Sequence, residues 1–164
     1  MDAYPIVFFC LAITLHNSEE AIWLPRWSQQ TSEFQKPVTS SEFRFAVICI
    51  TVLAYLSAFS FAYRPESDAA KWMFTGFLGS MVVNAIFPHL IVTLLTKKYA
   101  PGLLSGLLLN LPINSRVICR MFADHSITWK ELVLSTLGVG IGLLTLIPVL
   151  FKIGGHIASS EPVD

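Results

Sequence analysis

Five mostly apolar stretches of about 20 residues, joined by short polar connections, constrain this 164-residue chain more than any other feature. A helix needs about 20 such residues to cross the hydrocarbon core of a bilayer. The stretches fall at residues 4–24, 43–63, 71–95, 102–122 and 132–151. They predict an all-α integral membrane bundle of about five transmembrane helices, forming a single domain over residues 1–164. Composition agrees: 54% of the residues are hydrophobic and 13% are charged, where a soluble domain carries roughly a quarter charged. The fourth stretch is the most interrupted, by Asn110, Pro112, Asn114, Arg116 and Arg120. In the fifth, Gly138, Gly140 and Gly142 either permit close helix approach or only make that helix flexible.

The connections are polar. The longest is expected over residues 25–41, and Ser126 or Thr128 is expected to cap the last helix. The tail after Lys152 is expected to fray. Trp23, Trp27, Trp72 and Trp129 fall near segment ends and read as interface anchors. His125 and His156 lie in expected loops and carry no assigned role. With five spans, five Lys and Arg fall on one side and six on the other, so orientation and the identity of the membrane stay open. The N-terminus lacks the basic region of a signal peptide, so the first stretch is expected to belong to the mature protein. Cys10, Cys49 and Cys119 show no metal-like spacing and read as free thiols. Net charge is zero, which gives no indication of a nucleic-acid partner.

The exceptional segment is His16-Asn17-Ser18-Glu19-Glu20, inside the first apolar stretch. A carboxylate in mid-bilayer costs about 2.5–3.5 kcal/mol on insertion scales, so an intramembrane ionisable cluster marks a functional site. Helical spacing puts His16, Glu19 and Glu20 on one side of the first helix, with Asn17 and Ser18 pointing elsewhere. In the third stretch Asn84 and His89, five residues apart, would diverge by about 140° on a regular helix. Pro88 removes a helical hydrogen bond, and a kinked or widened turn there brings the two onto one face. His16, His89 and Asn110 all lie roughly 9–12 Å beneath the same membrane surface, counted from the segment ends at 1.5 Å per residue. Asn110 serves equally well to touch a ligand or to bridge a proline-broken helix. Tyr99-Ala100-Pro101-Gly102 reads first as a helix-entry turn.

His16-Asn17-Ser18-Glu19-Glu20 resembles the H-x-x-E-E signature of the HXXEE family of small integral membrane proteins, and Tyr99-Ala100-Pro101-Gly102 resembles its Y-x-P-G motif. The family's middle motif, N-x-x-x-H, is matched by Asn84 to His89 with one extra residue. The resemblance implies that His16, Glu19, Glu20, Asn84, His89, Tyr99, Pro101 and Gly102 belong to one shared feature. It supplies no reaction.

Two His and two Glu make a first shell for zinc, iron or manganese. The leading expectation is an integral membrane enzyme with a metal held by His16, His89, Glu19 and Glu20, acting on a hydrophobic or lipid-like substrate. In it one glutamate is a ligand and the other the general base, with the assignment open. Asn84, Tyr99 and Asn110 are the expected substrate or supporting contacts. Two alternatives stand beside it. One is metal-free acid–base chemistry by Glu19 and Glu20 as an isomerase, cyclase or epoxide-opening enzyme on a lipid-like or isoprenoid substrate. The other is proton or cation transport.

Overall fold

The computed structural model describes residues 4–31 and 36–160. Among these the chain is all-α, arranged as five helical rods. The first two are α1, Tyr4–Gln30, and α2, Ser40–Tyr63. The third consists of α3, Asp68–Asn84, a wide π-type turn over Ala85–Leu90, and α4, Ile91–Thr96. The fourth consists of α5, Leu103–Ser105, a second wide turn over Gly106–Asn110, and α6, Leu111–Ala123. The fifth is α7, Trp129–Ser160.

Helix starts carry their own chemistry. Thr39 Oγ1 accepts from the Glu42 N–H at 3.3 Å, and Glu42 Oε2 accepts from the Thr39 N–H at 2.8 Å. This reciprocal capping box satisfies two otherwise orphaned donors. Thr128 and Glu131 repeat it at α7, at 3.2 and 2.7 Å, so Thr128 rather than Ser126 caps the last helix.

Two expected boundaries move. The loop expected from residue 25 starts later, because α1 continues through Pro25 to Gln30. A proline inside a helix leaves the carbonyl four residues earlier without its donor. That carbonyl belongs to Ala21, and the Arg44 guanidinium of α2 approaches it at 3.5 Å. Residues 32–35 of that loop lie outside the described residues. The tail expected to fray after Lys152 is helical to Ser160. Gly154 lets this extension lie on α2: a Cβ there would stand 2.9 Å from Phe45 Cβ and 3.1 Å from Glu42 Cα. Residues 161–164 lie outside the described residues.

The core is aromatic. Phe9 of α1 meets Phe74 of α3 edge-on at 5.2 Å, and Phe61 of α2 stacks on Phe74 at 5.2 Å. Such pairs add about 0.5–1.5 kcal/mol beyond their burial. Met121 and Val117 close the cluster from α6.

α3 and α7 approach closely, and the glycines that allow it sit mainly on α3. A Cβ at Gly76 would lie 2.4 Å from Val139 Cγ2 and 2.6 Å from the Ser135 carbonyl; one at Gly79 would lie 1.9 Å from Thr136 Oγ1. Of the expected α7 glycines, Gly138 faces the Trp72 ring, while Gly142 has nothing within 4 Å.

Among the described residues, three helices are long and apolar enough to cross a membrane: Ser40–Tyr63, Asp68–Thr96 and Trp129–Ser160. α1 and the fourth rod, which hold the polar clusters, are not among them.

The Gly76 contact gives a stability prediction. Gly76→Ala drives a methyl into a backbone carbonyl and lowers stability by about 1–3 kcal/mol, the usual range for overpacking. Gly142→Ala raises it by about 0.5–1 kcal/mol through helix propensity. Thermal unfolding of the two purified variants beside the parent protein measures both.

Candidate functional site

Helix rotation separates two adjacent acids. His16 and Glu20 are one turn apart on the same face of α1, whereas Glu19 is turned about 100° from Glu20. The two carboxylates consequently meet different surroundings.

The partner for His16 and Glu20 comes from the break in the third rod. Phe87 leaves helical geometry, with φ −124° and ψ 121°, immediately before Pro88. The Phe87–Pro88 peptide is cis. The Ile91 N–H then reaches back to the Ile86 carbonyl, five residues earlier. This widened turn brings Asn84 and His89 together, the arrangement that a break at Pro88 was expected to allow. Asn84 Nδ2 lies 3.2 Å from His89 Nε2 and 3.0 Å from His16 Nε2. The two imidazoles meet edge to face, with ring centres 5.1 Å apart.

His16, Glu20 and His89 form a group that can hold a metal ion, with one ligand atom from each lying within 4.8 Å of the others. Glu20 Oε1 is 3.1 Å from His89 Nε2 and 3.8 Å from His16 Nε2. Four ligands at the usual zinc distances of 2.0–2.2 Å stand about 3.4 Å apart, and these two separations bracket that spacing. His16 is 1% exposed and His89 3%.

Glu19 stands outside this group. Its Oε1 accepts from the Tyr99 hydroxyl and, at 2.8 Å, from the Gly102 N–H. Its Oε2 accepts from the Ser105 hydroxyl and, at 2.9 Å, from the Ser105 N–H. Four donors leave this carboxylate nothing with which to bind a metal in common with His16. Tyr99 is itself held by the Leu104 N–H at 3.1 Å. Burial, and then its bond to Glu19, push the Tyr99 phenol up from its usual range, which keeps it a donor.

Ser105 connects the two acids' surroundings. Its hydroxyl hydrogen is committed to Glu19, so its oxygen accepts from His16 Nδ1, at 3.2 Å. That fixes the proton of a neutral His16 on Nδ1 and turns the Nε2 lone pair toward Asn84, His89 and Glu20. Carboxylate relays of this kind orient the histidines of metal sites.

The entry turn is part of the same structure. Gly102 adopts φ +92°. A Cβ there would also stand 2.7 Å from His89 Cε1 and 3.0 Å from His16 Cε1. Tyr99-Ala100-Pro101-Gly102 is thus both a helix entry and the wall against which the histidines pack.

Asn110 is not joined to the cluster by any hydrogen bond. It is fully buried, and neither of its side-chain polar atoms has a partner among the described residues; Asn114, one turn on, is the same. Asn17 makes no hydrogen bond within the cluster and donates to Thr51 Oγ1 at 2.7 Å, but it lines the same cavity as Glu20 and so, contrary to expectation, does not point elsewhere. Ser105 escaped the sequence reading, and Asn114 entered it only as an interruption of the fourth stretch. The only signal for Ser105 is its position three residues after the glycine that opens a helix.

Glu20, Asn84 and His89 line one end of an apolar cavity of about 600 Å³. Its walls include Phe43 and Ile50 of α2 and Leu144 and Phe151 of α7.

The fold and the clustered motifs define a class. The sequence profile described as "Protein of unknown function with HXXEE motif" matches residues 7–117, and the chain belongs to that family. It is similar to "Uncharacterized protein YrkK" of Bacillus subtilis (strain 168), with 71% identity over 155 residues, covering 94% of this chain and 98% of that protein. No solved structure matches it.

Ser105→Ala and Tyr99→Phe each remove a hydrogen bond to a buried carboxylate. Each is expected to lower stability by about 1.5–3 kcal/mol, and thermal or denaturant unfolding of the purified variants checks this.

Proposed function

We propose that the protein is an integral membrane enzyme that uses a metal ion held by His16, Glu20 and His89 to act on a hydrophobic or lipid-like substrate. The observation that carries this reading is the convergence of three donor atoms from His16, Glu20 and His89, with Glu20 and His89 also lining an apolar cavity.

With the Asn84 amide as placed, hydrogen bonding leaves one of these contacts unmatched. His89 Nε2 is 3.1 Å from Glu20 Oε1 and 3.2 Å from the Asn84 amide nitrogen. It must donate to the carboxylate and accept from the amide, and one nitrogen cannot do both. A cation satisfies both imidazole lone pairs and the carboxylate together. Asn84, beside both imidazoles, would offer its amide oxygen as a further donor to such an ion. Zinc, iron and manganese all suit imidazole with carboxylate. A dication also offsets the cost of an acid at membrane depth.

The sequence reading made one acid a ligand and the other the general base, with the assignment open. In this reading Glu20 is the ligand. Glu19 is a positioning residue that holds the Tyr99–Ser105 segment and, through Ser105, the His16 tautomer. The metal supplies Lewis acidity; Glu20 and Asn84 face the cavity and are placed to receive or orient the substrate's reacting group. The apolar walls select a hydrocarbon-rich molecule and exclude water.

Support for the membrane assignment is the inverted surface. Val133, Leu134, Leu137, Ile141 and Leu144 of α7 are all more than half exposed, and soluble monomers rarely carry contiguous apolar patches beyond a few hundred Å². All five rods are assigned as spans, with α1 and the fourth rod sheltering their polar groups against each other.

Metal-free acid–base catalysis is the second reading, favoured by the 3.1 Å contact between Glu20 and His89. Elemental analysis of detergent-purified protein decides between them. The metal reading expects about one equivalent of zinc, iron or manganese, lost in His16→Ala, His89→Ala and Glu20→Gln. In Glu19→Gln the metal is retained, with affinity lowered about 10–100-fold, as for other outer partners of metal ligands. Metal-free protein that still converts a lipid-like substrate supports the second reading. Release from membranes by alkaline carbonate would overturn the integral assignment.

A further inference from the structure

We infer that the groove between the C-terminal half of α1 and the Tyr99–Leu104 segment binds an anionic phospholipid. The inference rests on the membrane reading above and is independent of the metal.

The groove is a second cavity, of about 600 Å³, lying across α1 from the first; Trp27 and Pro101 line both. Its lining changes along the helix, with Ser18 and Glu19 set between Leu15 and Ile22. Leu15, Ile22 and Leu104 form apolar walls, 53%, 57% and 58% exposed. Trp23 and Tyr99, about half exposed, come next. Arg26 lies beyond them toward the α1 terminus, with Trp27 and Gln30 further on, and is exposed and without a hydrogen-bond or ion-pair partner among the described residues.

Glu19 also lines the groove, but its oxygens are committed to four donors. Arg26 is two turns further on the same face, about 10 Å along the axis. An acid and a cation that far apart do not pair, so the guanidinium stays available to a ligand.

This lining matches one kind of molecule. A guanidinium presents a fork of N–H donors suited to phosphate. Trp and Tyr side chains settle at the headgroup level of a bilayer. The leucine and isoleucine walls below them accept an acyl chain. Lys97 and Lys98 immediately precede Tyr99 and add positive charge to the loop that carries it. A zwitterionic headgroup would bring its own cation against these three basic residues, so the occupant is anionic. Tyr99 is both a wall of the groove and a donor to Glu19. A bound lipid would therefore brace the segment that holds Ser105 against His16.

Native mass spectrometry of the full-length protein, loaded in detergent with equimolar dioleoylphosphatidylglycerol and dioleoylphosphatidylcholine, tests the proposal. The parent protein should retain phosphatidylglycerol about fivefold over phosphatidylcholine, the factor expected for one interfacial basic residue. Arg26→Gln should bring the ratio to about one. Arg26 is exposed, so this variant should keep its fold, checked by its unfolding temperature. Equal retention in the parent protein overturns the proposal. So does a preference that survives Arg26→Gln and disappears only in Lys97→Gln/Lys98→Gln, which would be a general effect of basic charge. Inorganic phosphate raising the unfolding temperature as much as phosphatidylglycerol does would overturn the acyl-chain part. Metal content measured on the same samples separates this result from the fate of the metal reading.

Discussion

A single buried carboxylate organises the polar half of this molecule. Glu19 gathers the Tyr99 and Ser105 hydroxyls and the Gly102 and Ser105 amides onto two oxygens. Both amides come from the start of a helix, where N–H groups have no partner within the helix. The acid and the helix start therefore meet each other's needs, and α1 is tied to the fourth rod at one point. The position of Ser105 follows from that tie, and the orientation of His16 follows from Ser105. Gly102 belongs to the same knot, since both its backbone angle and the histidine rings beside it leave no room for a side chain.

Two irregular turns do the rest. Ala85–Leu90 widens before and around Pro88, and Gly106–Asn110 widens just before Pro112. A missing N–H has different effects in the two rods. In the third it swings His89 toward Asn84. In the fourth it falls in the first turn of α6, between Asn110 and Asn114, whose buried amides are unpaired among the described residues. Local departures from helix geometry near functional groups are a recurring use of π-type turns.

Much of this was legible in the chain. The apolar stretches located all five rods, because length and continuity of hydrophobic residues are strong signals. Pro88 gave the reason for Asn84 and His89 to meet, since a regular helix would have kept them apart. Depth counting placed His16 near His89. Asn110 shared that depth and yet makes no bond to either histidine, because depth alone says nothing about which way a side chain faces. The division between Glu19 and Glu20 was hidden for a related reason. Their rotation around α1 is known, but what stands opposite each depends on how the rods pack. Ser105 was invisible because a serine near a helix start is ordinary. The end of α1 was misplaced because Pro25 reads as a stop, whereas Arg44 approaches the carbonyl it leaves open.

Consecutive numbering puts Glu19 and Glu20 on either side of a partition. One acid belongs to the anchoring knot beside the Arg26 groove, the other to the histidine pair beside the first cavity. α1 is the wall between these compartments, only one helix thick. Rolling it by a fraction of a turn would disturb both sides together, in opposite senses: as one acid drew closer to its partners, its neighbour would withdraw. The two chambers are thereby mechanically linked through a rigid backbone, with no moving loop between them.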